Sequence, residues 1–410
     1  MNSGDTAWVL TATALVLLMT IPGLAFFYGG LVRRKNVLSI LMQCFIIMCV
    51  ISLQWVLFGY SLAFGPSISG IIGNLEWMGL AGVGAAPSAD YAATIPHFAF
   101  MLFQAMFAII TPALMIGAFA ERMKFSAFLI FTILWATFVY DPLAHWVWNK
   151  NGWLAALGAL DFAGGIVVHV SSGISALVLA IMLGKRLGYN HKPIRPHNLP
   201  FTVLGGALLW FGWFGFNAGS SLAANGLAAQ AMVATQIATA AAALTWVMVE
   251  WWHIGSPTIL GAVTGAIGGL VAITPACGFV SPMSAMAIGI MAGAICYLAV
   301  AVIKGKIGYD DSLDAFGVHG VGGIFGTIAV GIFAQKALNE NGADGLLFGN
   351  VQQFIVQGLL VLVAVAFAVT MTFIIFKIVD AFVGMRVEEE KEIIGLDLTQ
   401  QSEAAYTVIE

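Results

Sequence analysis

Long apolar runs separated by short polar connections recur from residue 7 to residue 384 of this chain. The runs are continuous and do not alternate apolar with polar residues, which predicts helices and argues against the strands of a membrane barrel. Lipid offers backbone groups no outside partner, so a spanning helix needs roughly 20 apolar residues in succession. Eleven runs come near that length: 7–32, 36–65, 97–119, 125–147, 161–184, 200–222, 230–252, 256–275, 282–303, 314–334 and 351–380. No polar stretch between them is long enough to fold separately, which predicts one membrane domain over 1–384 and a polar tail over 385–410. The first run lacks a preceding basic segment and is too long for a secretory signal, so it reads as a retained helix.

Composition sharpens this picture. The chain is 60% hydrophobic and 9% charged, against about 25% charged in globular proteins, which excludes an ordinary soluble protein. Charge then sets orientation. With the N-terminus outside, the basic connections Arg33 to Lys35, Arg122 to Lys124, Lys185 to Arg195 and Lys304 to Lys306 all face the cytoplasm, as does the tail. Only Lys150 and Lys336 of the 16 Lys and Arg residues then lie outside. That distribution follows the positive-inside rule and predicts a multi-pass protein of the cell membrane with a cytoplasmic C-terminus. Many of the 47 glycines gather in faces such as Gly261, Gly265, Gly268 and Gly269, where helix backbones can approach closely. The four cysteines show no Cys-x-x-Cys spacing, so neither a disulfide framework nor a zinc site follows. No phosphate-binding glycine loop with lysine is present, which argues against an ATP-driven pump. Neither a cofactor, a metal nor a nucleic-acid partner is expected.

Ionisable groups inside apolar runs need a reason. The fifth and tenth runs both open on aspartate, pass a glycine-containing turn and reach histidine: Asp161 to His169 in DFAGGIVVH, and Asp314 to His319 in DAFGVHG. Helices five runs apart enter from opposite faces, so the first ten predict an inverted 5+5 repeat with one extra helix appended. At 1.5 Å per residue, His169 lies about 12 Å from Asp161 and His319 about 7.5 Å from Asp314. Both imidazoles therefore approach the middle of a core about 30 Å thick, where a substrate path is expected. A lone membrane histidine commonly just bonds a neighbouring helix, but the paired placement favours function. Either aspartate suits a helix start, where a carboxylate caps exposed amides. Asp161 also adds negative potential near the outer mouth, whereas Asp314, at the cytoplasmic end, reads as architectural.

Aromatic residues supply a second cluster. Phe103 and Phe107 are four apart on one helix face, Trp148 stands at the outer end of the fourth run, and the sixth run carries Trp213, Phe216 and Ser220 in FGWFGFNAGSS. Single membrane aromatics are mostly interfacial or packing residues. Grouped rings suit a small cation, at about 0.5–2 kcal/mol for each ring face, and a serine hydroxyl can accept a hydrogen bond from ammonium. A hydrolase built on Ser220 and His169 would lack the Gly-x-Ser-x-Gly elbow, and a dihistidine metal site would have only Asp161 and Asp314 near in sequence. Both readings stand beside a conduit, and a turnover assay on purified protein separates an enzyme from a conduit. Taken alone, the mixed-charge tail MRVEEEKEIIGLDLTQQSEAAYTVIE reads as solvated.

These residues lie within longer motifs: MTIPGLAFFYGGLVRRKNVLS in the first run, GALDFAGGIVVHVSSGISALVLAIMLGKR around the fifth, PHNLP before the sixth, GWFGFNAGS within it, TPACG after the eighth and DAFGVHGVGGIFG in the tenth. In that order, over nearly the whole chain, they resemble the ammonium transporters of the Amt/Mep/Rh family, on its bacterial and archaeal Amt branch. The resemblance implies an all-α integral membrane protein of eleven transmembrane helices, assembled as a homotrimer with a pore through each subunit. Its substrate would be ammonium or ammonia, with methylammonium as a candidate competitor. Trp148, Phe103, Phe107 and Ser220 match an outer recruitment site, with Asp161 supporting it. Phe107 and Phe216 match the rings that close the pore, and His169 and His319 match the twin histidines of the conduit. The tail is similar to one that packs against neighbouring subunits and helps dock a PII-type signal protein. An apolar conduit without a carbonyl cage should stall potassium, whereas ammonium can release a proton and continue as ammonia.

Overall fold

The computed structural model describes residues 1–189, 191 and 194–406. It is almost entirely helical. In chain order the apolar helices are α1 (Ser3–Leu31), α2 (Arg34–Phe64), α3 (His97–Phe119), α4 (Phe125–Ala156), α5 (Gly165–Leu183), α6 (Leu199–Gly219), α7 (Gly226–Ile254), α8 (Ile259–Ile273), α9 (Pro282–Ile307), α10 (Phe316–Phe333) and α11 (Val351–Val383). Among the described residues, ten are long and apolar enough to cross a membrane. The exception is α8, whose 15 residues fall short of the expected run 256–275. It ends at Thr274, where a buried turn through Cys277 and Phe279 takes over. Two short hairpins, Ser67–Ile68 with Ile72–Gly73 and Pro87–Ser88 with Ala92–Pro96, occupy the connection between α2 and α3.

Local chemistry starts these helices where the sequence changes character. Asn198 accepts from Phe201 N, Asn225 from Leu227 N and Ala228 N, Ser281 from Ser284 N, and Asn350 from Gln353 N. Each satisfies a first-turn amide that otherwise has no partner. Small residues then let the helices close up. A methyl group at Gly269 would sit 2.6 Å from Ala242 Cβ, and one at Gly289 would sit 2.8 Å from Ala238 Cα, so α7 lies almost backbone to backbone on α8 and α9. The glycine face expected from sequence is thus the seam of this three-helix layer.

The tail departs from the solvated segment expected of its sequence alone. Its two helices, α12 (Glu389–Ile394) and α13 (Leu396–Gln401), lie on the basic end of the bundle. Glu392 is buried and accepts from Leu187 N at 2.6 Å and Arg386 at 2.8 Å. Asp397 accepts from Ser39 N at 2.8 Å in the first turn of α2, and Gln400 Oε1 from Phe125 N at 3.1 Å at the start of α4. The tail's polar residues complete helix ends that a short loop leaves open, which holds it against its own subunit.

Beneath it lies a buried ionic cluster. Glu121 accepts from Arg33 Nε at 3.0 Å, Asn36 Nδ2 at 2.9 Å and Arg186 Nη1 at 3.0 Å, while Arg186 forks onto Asp310 at 2.9 and 2.8 Å. Burial alone would raise the Glu121 pKa, but Arg186 and Arg33 hold it below its ordinary value. Asp310 is likewise held low despite its burial, chiefly through its hydrogen bonds to Arg186. Because Arg186 follows α5 and Asp310 precedes α10, this cluster ties together the two histidine-bearing helices.

Candidate functional site

The two histidines are delivered by one local design used twice, in a register different from the one expected. Asp161 accepts from the amides of Gly164, Gly165, Ile166 and Val167 at 2.6–3.1 Å, so it caps α5. The counterpart in α10 is Asp311, which is buried and accepts from Phe316 N at 2.7 Å. Asp314, the expected partner, instead forms an ion pair with Lys304 at 2.6 Å. The correct repeat sets Asp161 against Asp311, each eight residues before its histidine. The position three residues after each aspartate has a left-handed backbone: Gly164 at φ 113° and Asp314 at φ 61°. That turn allows the carboxylate to reach the following amides, and in both copies the carbonyl of the turn residue accepts at 3.0 Å from the amide four residues on, Val168 or Val318. Nearness in sequence points to Asp314, whereas the turn gives the capping position to Asp311 and leaves Asp314 an architectural ion pair.

Past these caps, both histidines lie in π-helical turns, Gly165–Val170 and Phe316–Gly320, a geometry frequent where a helix presents a functional side chain. Glycine four residues after each histidine lets the other helix approach. A Cβ on Gly173 would strike the backbone of Gly320, and one on Gly323 would lie 2.9 Å from Gly165 O and 3.0 Å from His169 Cβ. Close approach brings the imidazoles together, with Nδ1 of His319 3.3 Å from Nδ1 of His169 and ring centroids 5.3 Å apart. Both rings are buried, and Nε2 of His169 has no hydrogen-bond partner among the described residues.

A continuous series of rings leads to this pair. Trp148 meets Phe107 edge-on at 5.8 Å, Phe107 lies on Phe216 at 4.3 Å, and Phe216 lies 6.0 Å from His169. Phe103 packs on Phe107 at 5.0 Å and reaches Gly219, next to Ser220. Trp148 Nε1 donates to the carbonyl of Asp161 at 2.9 Å, which joins the aromatic group to the α5 cap. Ser220 donates to Phe216 O at 2.9 Å and leaves its lone pairs free. Ser220 and Asp161 line a recess of about 460 Å³ at the end away from the basic cluster, whose walls do not include Phe103, Phe107 or Trp148.

The histidines line two further spaces. A cavity of about 10 Å³, bounded by His169, His319, Trp213, Phe216 and otherwise by aliphatic and aromatic residues, has room for about one water-sized molecule. Below it opens a vestibule of about 400 Å³ lined by His319, Val318, Asp314, Ser312, Glu250 and His253 among others. In the sequence Trp213 is one aromatic of its run and nothing local sets it apart. Its indole stacks on His169 at 5.4 Å and donates to Thr274 Oγ1 at 2.9 Å, which makes it a wall of the cavity. Asp311 and the two glycines were also missed, although a common spacing from each histidine was a usable signal. Among the described residues no group of three or more His, Cys, Asp or Glu is placed to hold a metal ion.

A helical multi-pass membrane protein with buried imidazoles between a recess at one end and a vestibule at the basic end belongs among the membrane transport proteins in form. The model of the Ammonium Transporter Family matches residues 7–406. The ammonium transporter of Bacillus subtilis (strain 168) is 54% identical over 406 residues, covering 99% of both chains. Ammonium transporter Amt1 of Archaeoglobus fulgidus is 50% identical over 408 residues, covering 99% of this chain and 100% of that one. The crystal structure of Candida albicans Mep2 superposes with a TM-score of 0.90 at 38% identity, covering 99% of this chain and 90% of that one. The chain belongs to the ammonium transporter family.

Proposed function

We propose that this protein transports ammonium nitrogen across the cell membrane by recruiting ammonium at the outer recess, removing a proton and conducting ammonia past the twin histidines. The observation that carries the reading is the Nδ1 to Nδ1 contact of 3.3 Å between His169 and His319, buried between the two openings. Of two neutral rings in that contact, one donates from Nδ1 and the other accepts, so one Nε2 is left an acceptor and the other a donor. Ammonia is both donor and acceptor and can use either end. A bare cation would gain no oxygen cage in the small cavity and would lose its water there.

In this mechanism Ser220 meets ammonium in the recess with its lone pairs, and Trp148, Phe103 and Phe107, packed behind the recess wall, receive the cation on their ring faces once Phe107 parts from Phe216. Asp161 acts through its negative field and by positioning Trp148, since its carboxylate oxygens are already engaged by amides. Ring contact between Phe107 and Phe216 closes the path until a neutral molecule passes. We place the N-terminus outside and the basic end in the cytoplasm, with α8 and the turn after it completing an eleventh span. The subunits would form a homotrimer, and the docked tail would present the inner face to a PII-type signal protein.

Ammonium uptake by reconstituted vesicles carrying His169→Ala or His319→Ala tests the reading. Flux or selectivity should collapse while the protein stays folded; unchanged rate and selectivity in both variants would sink it. Current measured at varied pH then decides whether the released proton also crosses.

A further inference from the structure

The vestibule of about 400 Å³ at the basic end is far wider than the conduit it serves, whose cavity of about 10 Å³ holds one water-sized molecule. Its wall is graded. Beside His319 the lining is apolar, with Leu313 and Val318 on the α10 side and Ile267 on α8. Further out come the rings of Trp246 on α7 and Tyr297 on α9, which meet edge-on at 5.4 Å. Glu250 follows one helical turn after Trp246, and His253 three residues later, so one stripe of α7 carries ring, carboxylate and imidazole toward the basic end. His253, Ile254 and Thr258 are exposed, which leaves that end open.

Charge in this space is one-sided. Arg186 also lines it, but its guanidinium is engaged by Glu121 and Asp310, and Asp314 is paired with Lys304. Glu250 forms no ion pair among the described residues. Its oxygens accept from Thr258, through N at 3.0 Å and Oγ1 at 3.0 and 3.2 Å, which fixes the carboxylate at the start of α8 and leaves lone pairs over. Nδ1 of His253 meets the Tyr297 hydroxyl at 2.6 Å, which holds that ring in place. A pocket with an apolar, aromatic interior and a carboxylate at its mouth suits a cation that carries a short hydrocarbon chain.

We propose that the vestibule binds short-chain organic ammonium ions from the basic side, with the cationic head at Glu250 and the chain along Trp246 and Tyr297 toward His319. Such an ion is too large for the conduit and blocks it. The block rests on the transport reading above, whereas the binding does not.

Calorimetry on the purified full-length protein with butyltrimethylammonium, whose charge is fixed, tests the site. It should bind more tightly than tetramethylammonium, which lacks the chain, and than butanesulfonate, which reverses the charge. Glu250→Gln keeps an acceptor for Thr258 and should weaken the binding roughly tenfold. Trp246→Leu should narrow the difference between the two cations. No binding, equal affinity for the sulfonate, or unchanged affinity in Glu250→Gln would overturn the proposal, and the ligand series on the unmodified protein decides even where a variant fails to fold. In vesicles of one orientation, ammonium flux should fall when the cation is applied to the side bearing the tail. Equal block from either side would place the cation in the outer recess, and binding without block would refute plugging of the conduit. Absence of ammonium flux in the untreated protein would sink the transport reading and leave calorimetry to decide on the site.

Discussion

The openings of α5 and α10 share a plan and differ in how completely they execute it. In α5, both carboxylate oxygens of Asp161 are engaged by four successive amides, and glycine occupies the left-handed position. In α10, Asp311 holds one amide within hydrogen-bond reach and leaves Oδ1 unpartnered, while the left-handed position is Asp314, tied to Lys304. The α5 opening is therefore a locally closed cap. Its inner counterpart depends on a neighbouring helix and on the ionic cluster beneath it. A carboxylate with its oxygens engaged shapes a mouth through its field and not as a direct ligand.

The largest effect that would break this comparison is on stability. Asp161→Ala exposes several buried amides at once, each costing about 1–3 kcal/mol, and should leave little folded protein. Asp311→Ala should lose markedly less, and melting of the two purified variants measures the gap. Equal losses would mean the halves are not unequally capped.

Next comes flux. Gly173→Ala and Gly323→Ala each place a methyl group against the opposite helix, which must push the imidazoles apart. A displacement near 1 Å should reduce ammonium transport on the order of 100-fold with the protein still in the membrane. Wild-type rates in both would show that the close crossing does not position the rings.

Acid should separate the halves more gently. Glu121 and Asp310 are held below their ordinary values of 4.5 and 3.8, so the stability they contribute is complete above pH 4.5 and is lost as pH falls through their folded values. Hydrogen exchange should therefore rise first, below about pH 4.5, at the basic end around α12, α13 and the start of α10. Protection that is flat with pH there, or lost first at the outer mouth, would contradict the ionic account. The smallest change expected is from Lys304→Ala, whose partly exposed pair with Asp314 contributes about 0.2–1 kcal/mol. Its effect on melting should shrink further in high salt.

Much of the architecture was legible before any coordinates. Apolar runs in lipid have few ways to satisfy their backbones, so the places of the helices are readable; α5, α6, α8 and α10 are each shorter than the run expected, and ten helices among the described residues are long and apolar enough to span. Trp148, Phe103, Phe107, Phe216 and Ser220 could be grouped because their types suit one ligand, and the fold brings them to one side of the histidine pair. The misassigned aspartate shows the limit. Sequence proximity favoured Asp314, whereas capping is decided by a backbone turn that Gly164 and Asp314 reach with unlike side chains. Trp213 was hidden for a similar reason: most membrane aromatics pack, and its stacking on His169 depends on how α6 lies against α5.

The amino-acid sequence by itself determined that the chain enters lipid, where its helices run and which end is basic, because hydropathy and charge act residue by residue. Only the tertiary structure decided that Asp311 accepts from the first turn of the helix carrying His319, that the two Nδ1 atoms meet at 3.3 Å and that the tail docks on its own loops. Each of those outcomes depends on two segments 150 or more residues apart meeting, or on a left-handed turn that unlike residues share, and neither leaves a local trace in composition.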